Sequence, residues 1–240
     1  IFNYNILEQM LEEDAQLKGS NHDFGKDIMP RMIIENMRVF AYPYGGYWID
    51  VGTIDAYWEA HMDLLQTPPS LNLNDRTWVI HTRSEERPPV NIRADAAVAN
   101  SLITDGCVIE GTVEHSVLSP GVRVDPGAIV RDSVIMFDTH IRAGAVVDRA
   151  ILDKNVNVGP NAIVGTGNDF DTPNVDEPER LNTGITVVGK RAVIPASARI
   201  GRNVRIAGDV RPADFKSKRV KSGSSIDVGP RRRRKSRKAS

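Results

Sequence analysis

Three short segments hold residue types that can do chemistry. In Gly45-Gly46-Tyr47-Trp48-Ile49-Asp50-Val51-Gly52-Thr53, one carboxylate sits in an aromatic stretch that ends in Gly-Thr before a helical pattern. An acid at the C-terminal end of an α/β strand lies where ligand crevices form. There it can hold Mg²⁺, and Mg²⁺ can hold phosphates. Asp50 can equally cap the next helix or pair with a lysine. In Ser20-Asn21-His22-Asp23-Phe24-Gly25-Lys26-Asp27-Ile28-Met29-Pro30, polar and titratable groups crowd one glycine. Such a cluster is costly to bury unpaired, so it belongs on a loop or in a site. Capping and salt bridging are its plainer use. The third segment, residues 83–89, places Arg83 and Arg87 before Pro88-Pro89.

The elements that must position these groups follow from hydrophobic period and caps. Asn5 reads as the cap of a helix to about Lys18, with Ile6, Leu7, Met10 and Leu11 on one face. Asp27 reads as the cap of a second helix over residues 28–36, with Pro30 in its first turn. Residues 39–42 and 47–51 are rich in strand formers, and Thr53 caps a third helix with Asp55 near its positive end. Ile54, Tyr57, Trp58, His61, Leu64 and Leu65 stripe that helix. Residues 1–66 therefore read as α/β, and the polar, proline-bearing residues 67–95 as a linker.

From residue 96 the period changes. Positions 117, 134 and 151 are Val, Val, Ile; 124, 141 and 158 are Val, Ile, Val; 129, 146 and 163 are Ile, Val, Ile; 128, 145 and 162 are all Ala. Gly127 and Gly144 are followed in register by Asn161. This 17-residue spacing suits a triangular β-helix coil, with one aliphatic pointing inward per face and Gly or Asn at the corner. A β-sandwich would not keep that register. The repeat breaks over residues 165–182 and resumes to residue 206, so residues 96–211 read as a β-helix and 212–240 as a basic, disordered tail.

The chain has 240 residues, 31 basic and 31 acidic, with 40% hydrophobic residues, enough for a packed core. The balance is uneven: residues 216–240 carry a net +10 and the rest −10. The tail's Arg231–Lys235, Arg237 and Lys238 have no aromatic among them to stack on bases, which argues against nucleic acid. No apolar run reaches the roughly 18 residues of a membrane span. The single Cys107 excludes an internal disulfide and a cysteine zinc cluster, and suits a reducing cytoplasm. The chain opens on Ile1, and residues 1–4 read as a strand's end, so it is expected to be the C-terminal part of a longer protein.

Taken in order, these segments resemble the C-terminal half of the bacterial glucose-1-phosphate adenylyltransferases, over about residues 1–210. The family's Ser-His-Asp-Phe-Gly-Lys-Asp-Ile-Ile-Pro segment is met by residues 21–30, with Asn21 for Ser and Met29 for Ile. Its Tyr-Trp-Arg-Asp-Val-Gly-Thr-x-x-x-Tyr-Trp segment is met by residues 47–58, with Ile49 for Arg. The resemblance implies part of a Rossmann-like nucleotidyltransferase domain, then a left-handed parallel β-helix of hexapeptide repeats. It implies an enzyme joining ATP and glucose 1-phosphate into ADP-glucose and pyrophosphate, the committed step of bacterial glycogen synthesis. The attack is in line, and the protein's task is to align two anions around Mg²⁺.

The resemblance also implies roles. Asp50 is one of two metal aspartates, Trp48 shapes the sugar pocket, and His22, Asp23 and Lys26 support the site. Arg83 and Arg87 bind anionic metabolite effectors, and the β-helix serves assembly, as a homotetramer, and regulation. The family's Gly-rich phosphate loop, first metal aspartate and main sugar-phosphate lysine have no counterpart in these residues, so the chain alone is expected to be inactive. Two other readings remain open. One is a β-helix acyltransferase using His115 or His140 as general base. The other is a non-catalytic regulatory subunit; a related pyrophosphorylase with another base or sugar is a close rival to the enzyme reading.

Overall fold

The computed structural model describes residues 1–81 and 85–229. They form two compact units, Ile1–Gly46 and the chain from Tyr47 on. In the first, α1 (Tyr4–Ala15) is capped by Asn3, whose side chain accepts the Asn5 N–H, and not by Asn5 itself. It stops at Ala15, short of Lys18, because residues 16–19 turn back. A π-helical turn, Phe24–Ile28, runs straight into α2 (Met29–Ile34). Asp23 caps this run, not Asp27, because its carboxylate reaches two free N–H groups of the first turn. Met10, Ile28 and Met32 form the small core, with Ile6, Met37 and Val39 against it.

The two strands expected at residues 39–42 and 47–51 are absent: both segments are irregular. A strand needs a hydrogen-bonded neighbour, and no described residue before Asn91 forms one. Phe40, Tyr42, Trp48 and Val51 are accordingly exposed.

The second unit is a parallel β-solenoid with three sheets. Among the described residues, the first sheet runs through six strands from Asn91–Ile92 to Val193–Ile194. The second has seven, from Ala97–Ala99 to Arg219–Val220, and the third seven, from Leu102–Ile103 to Ser225–Ile226. The 17-residue columns are the actual ladder: Val117, Val134 and Ile151 pair in register, as do Val124, Ile141 and Val158, and Ile129, Val146 and Ile163.

Only one of these three aliphatic columns points inward as expected. Val124, Ile141 and Val158 are fully buried in the solenoid core. On the other two faces the core takes the next residue along: Val130, Val147 and Val164, and Leu118, Ile135 and Leu152. Successive strand residues face opposite sides, so paired aliphatics leave the inward member ambiguous in sequence. The alanines 128, 145 and 162 are buried beside the corner. There Gly127, Gly144 and Asn161 hold φ of +71°, +66° and +56°, the left-handed bend that Gly and Asn adopt cheaply.

The outward column of the third sheet is covered. Helix α3 (Ile54–Asp63), capped by Thr53 Oγ1 on the Ala56 N–H, lays Trp58, Met62 and the following Leu65 over Val134, Ile151 and Ile185. The apolar stripe of this helix thus packs on the solenoid face.

The break at residues 165–184 is a stapled loop. Asn203, fully buried, donates to the carbonyls of Phe170 (2.9 Å) and Thr172 (2.8 Å) and accepts the Gly184 N–H at 2.7 Å. Asn174, also fully buried, donates to the carbonyls of Asn203 and Ser224. Arg202 stacks on Phe170 at 4.8 Å.

The solenoid extends past both expected ends. Asn91–Ile92, inside the expected linker, already pairs with Val108–Ile109. Arg219–Val220 and Ser225–Ile226, inside the expected tail, add two more rungs. Only the inward residue of a short rung must be apolar, so the basic composition around Val220 and Ile226 hides these strands. The Arg-rich run beyond residue 229 lies outside the described residues.

Asn203→Ala removes three hydrogen bonds at a fully buried position. It should cost about 2–4 kcal/mol in chemical denaturation and expose residues 165–184 to proteolysis first.

Candidate functional site

In the first unit the 20–28 turn closes on its own carboxylates. Asp23 accepts the N–H groups of Gly25 (2.7 Å) and Lys26 (2.8 Å). Asp27 accepts those of Asn21 (3.2 Å) and Asp23 (3.1 Å). His22 sits at φ +55°, with its N–H on Ser20 Oγ at 2.9 Å. Its ring Nδ1 lies 2.8 Å from Asp14 Oδ2, and Ser20 Oγ donates to Asp14 Oδ1 at 2.6 Å. The Asp14 side chain, 6% exposed, is thus the anchor of the turn. These hydrogen bonds, from Ser20 first and His22 second, hold its carboxyl below the usual range. Asp14 was missed in sequence because nothing along an amphipathic helix marks which acid will meet a turn eight residues on. His22, Asp23 and Lys26 come together here, with the imidazole and ammonium facing solvent.

In the second unit Trp48 is 77% exposed, and Asp50 is exposed two residues on. Asp50 Oδ1 accepts the Gly52 N–H at 3.0 Å, which fixes the carboxylate just ahead of α3. Tyr47, burial first and the Asp63 carboxylate second, has its phenol pushed up. No group of three or more His, Cys, Asp or Glu side chains among the described residues could hold a metal. One exposed carboxylate does suit Mg²⁺, which keeps few protein ligands and takes the rest from phosphates and water. Beside Asp50, an open cleft of about 540 Å³ runs between the start of α3 and the third sheet, lined by Gly52, Thr53, Tyr57, Ile151, Arg180 and Arg205.

Arg87 is not a free cation. It spans Asp138 (2.6 and 3.1 Å) and Glu85 (2.6 and 3.0 Å), which raise its pKa in that order. It ties the linker to the solenoid. Arg83 lies outside the described residues. His115 and His140 each face one carboxylate, Asp132 at 2.8 Å and Asp125 at 2.6 Å, His115 at a left-handed corner of the solenoid and His140 in a strand of its first sheet. Cys107 is a core residue.

Two family models match the chain: nucleotidyl transferase over residues 1–67, and the GlmU-like C-terminal hexapeptide over residues 90–188. The glucose-1-phosphate adenylyltransferase of Thermomicrobium roseum is 50% identical over 95% of the chain and 53% of its own length. By sequence, the chain is a homologue of the glucose-1-phosphate adenylyltransferases. That of Acetivibrio thermocellus is 41% identical over 95% of the chain and 53% of its own length. That of Bacillus cereus (strain ATCC 14579) is 47% identical over 68% of the chain and 44% of its length. The chain spans about half the length of these adenylyltransferases. The nucleotidyl transferase match ends at residue 67, so it takes in the 20–28 turn, Trp48 and Asp50. The hexapeptide match covers the first coils of the solenoid and the loop at 165–184.

A depressed carboxyl stabilises the fold at pH values above its unfolded value and loses that effect as pH falls through the folded one. Amide exchange over residues 20–27 should therefore quicken as pH drops below about 4, after correction for intrinsic rates. Asp14→Asn should show the quickened exchange already at pH 7, with little further change in acid.

Proposed function

We propose that the protein containing this chain transfers the adenylyl group of ATP to glucose 1-phosphate, releasing pyrophosphate and making ADP-glucose for glycogen synthesis. The observation that carries this reading is the Tyr47–Trp58 motif. It holds an exposed Asp50 at the entry of a capped helix, in a chain half identical to a named adenylyltransferase. A sugar-phosphate oxygen attacks the α-phosphorus and pyrophosphate leaves. Mg²⁺, when bound, offsets phosphate charge as it shifts to the leaving group.

In this reading Asp50 supplies one ligand to that ion, held in place by the Gly52 N–H. Trp48 offers its ring to the sugar, and Lys26, which has no ion pair among the described residues, faces anions. Asp23 and His22 shape the turn that presents it. The second metal carboxylate and the nucleotide loop come from residues not in this sequence.

We further propose a homotetramer in the cytoplasm, regulated by anionic metabolites at the linker of Arg83 and Arg87. No helix among the described residues is long and apolar enough to cross a membrane. An effector at Arg87 must displace Glu85 or Asp138, so its binding should loosen the linker.

The test is the complete reading frame, purified and given glucose 1-phosphate, Mg²⁺ and ATP, UTP, GTP or dTTP, following pyrophosphate. ATP-selective turnover is expected, falling about 100-fold or more in Asp50→Asn, and absent from residues 1–240 alone. His140→Ala should leave it intact, against the acyltransferase reading. A folded oligomer without turnover on any nucleotide would favour a regulatory subunit.

A further inference from the structure

We propose that Trp58 is a positioning residue through which the solenoid sets the place of Asp50. The inference rests on the metal role proposed for Asp50. Asp50 is bound to the Gly52 N–H, and Thr53 caps α3, so the carboxylate stands at a fixed offset from the helix start. Wherever α3 goes, Asp50 follows.

Apolar packing alone leaves a helix on a sheet face free to slide or roll, because burial is non-directional. Trp58 removes that freedom. Trp58 is 9% exposed and packs within the Val134, Ile151 and Ile185 cluster. Its Nε1–H donates to the Asp132 carbonyl at 2.8 Å, a bond that one helix register satisfies. The Arg149 guanidinium lies 4.3 Å over the same ring, and Arg149 Nε donates to the Thr183 carbonyl of the stapled loop at 3.1 Å.

The acceptor is itself held. Asp132 has φ +48°, and its side chain meets the His115 ring at 2.8 Å. His115, Asp132 and Arg149 occupy equivalent left-handed corners of three successive coils, at φ +42°, +48° and +46°. One indole is thus gripped by two coils directly, braced by a third, and linked to the loop at 165–184. A change in the stacking of those coils, or in that loop, moves α3 and with it Asp50.

The test uses the complete enzyme with Trp58→Phe, which keeps an aromatic ring and loses the donor. Ile141→Val, inside the solenoid and away from α3, serves as a control for general destabilisation. Trp58→Phe should speed amide exchange at residues 50–57 about tenfold, the size of one lost hydrogen bond. It should also raise the Mg²⁺ concentration for half-maximal turnover and lower kcat several-fold, with KM for glucose 1-phosphate little changed. Ile141→Val should do none of these.

If Trp58→Phe lowers Tm but leaves exchange at 50–57 and the Mg²⁺ dependence within twofold of wild type, the indole only stabilises and the proposal fails. If wild type makes no ADP-glucose, the enzyme reading fails, while unchanged or quickened exchange at 50–57 still decides whether the solenoid positions that segment. Should Trp58→Phe not fold, Arg149→Asn, which suits the left-handed corner, should shift the same two readouts in the same direction; no shift would overturn the proposal.

Discussion

The backbone ladder between coils is the constraint on which the rest of the second unit depends. Each rung is two or three residues long and pairs in parallel with the rung one coil away. Rungs this short have little stability singly, and stacking makes them collective. The stack fixes two columns per face, one inward and one outward. The inward column is a continuous core of Val, Ile and Leu. What the outward column carries then decides what each face can do.

The third face shows the consequence. Its outward Val134 and Ile151 are buried under α3, which closes over the face with Trp58, Met62 and Leu65. The second face repeats the same residue types at Ile129, Val146 and Ile163 but stays partly open. The difference is a helix delivered from outside the repeat. Because that helix begins just after Asp50, a packing choice made by the solenoid reaches the segment that carries the candidate chemistry.

Polar groups inside the molecule follow a stricter logic. Ser116 and Ser133 are fully buried, and their hydroxyls bridge one coil to the next: Ser116 Oγ accepts the Ser133 N–H, and Ser133 Oγ accepts the Ala150 N–H, each at 3.1 Å. Asn174 and Asn203 do the same work for the loop at 165–184, where no ladder is available to satisfy the backbone. Buried polar groups of this kind cost stability unless every bond is made, so they specify one arrangement of loop and coil. In the first unit Asp14 has that part, gathering Ser20 and His22 from the far side of the turn.

The 17-residue period was enough, from sequence, for the solenoid, its ladder register and its Gly and Asn corners, because a stacked coil repeats its local requirements in every turn. The motifs at residues 21–30 and 47–58 likewise pointed to the adenylyltransferases that the chain matches in sequence, since spaced side-chain types survive in one dimension; the site roles drawn from them stand as proposals. Tertiary structure decided the rest. Which of two neighbouring aliphatics faces inward depends on the pleat of a rung that both residues suit. Where the solenoid ends depends on single residues inside polar stretches: Val220 and Ile226, which pack against the core, and Ile92, which pairs with Ile109 while staying half exposed. That α3 packs on the solenoid and that Arg87 is already paired with Asp138 are long-range encounters, and that Asp14 anchors His22 depends on how the chain turns back between them. Their energies come from partners up to 74 residues away, as Trp58 and Asp132 are, and no local pattern records them.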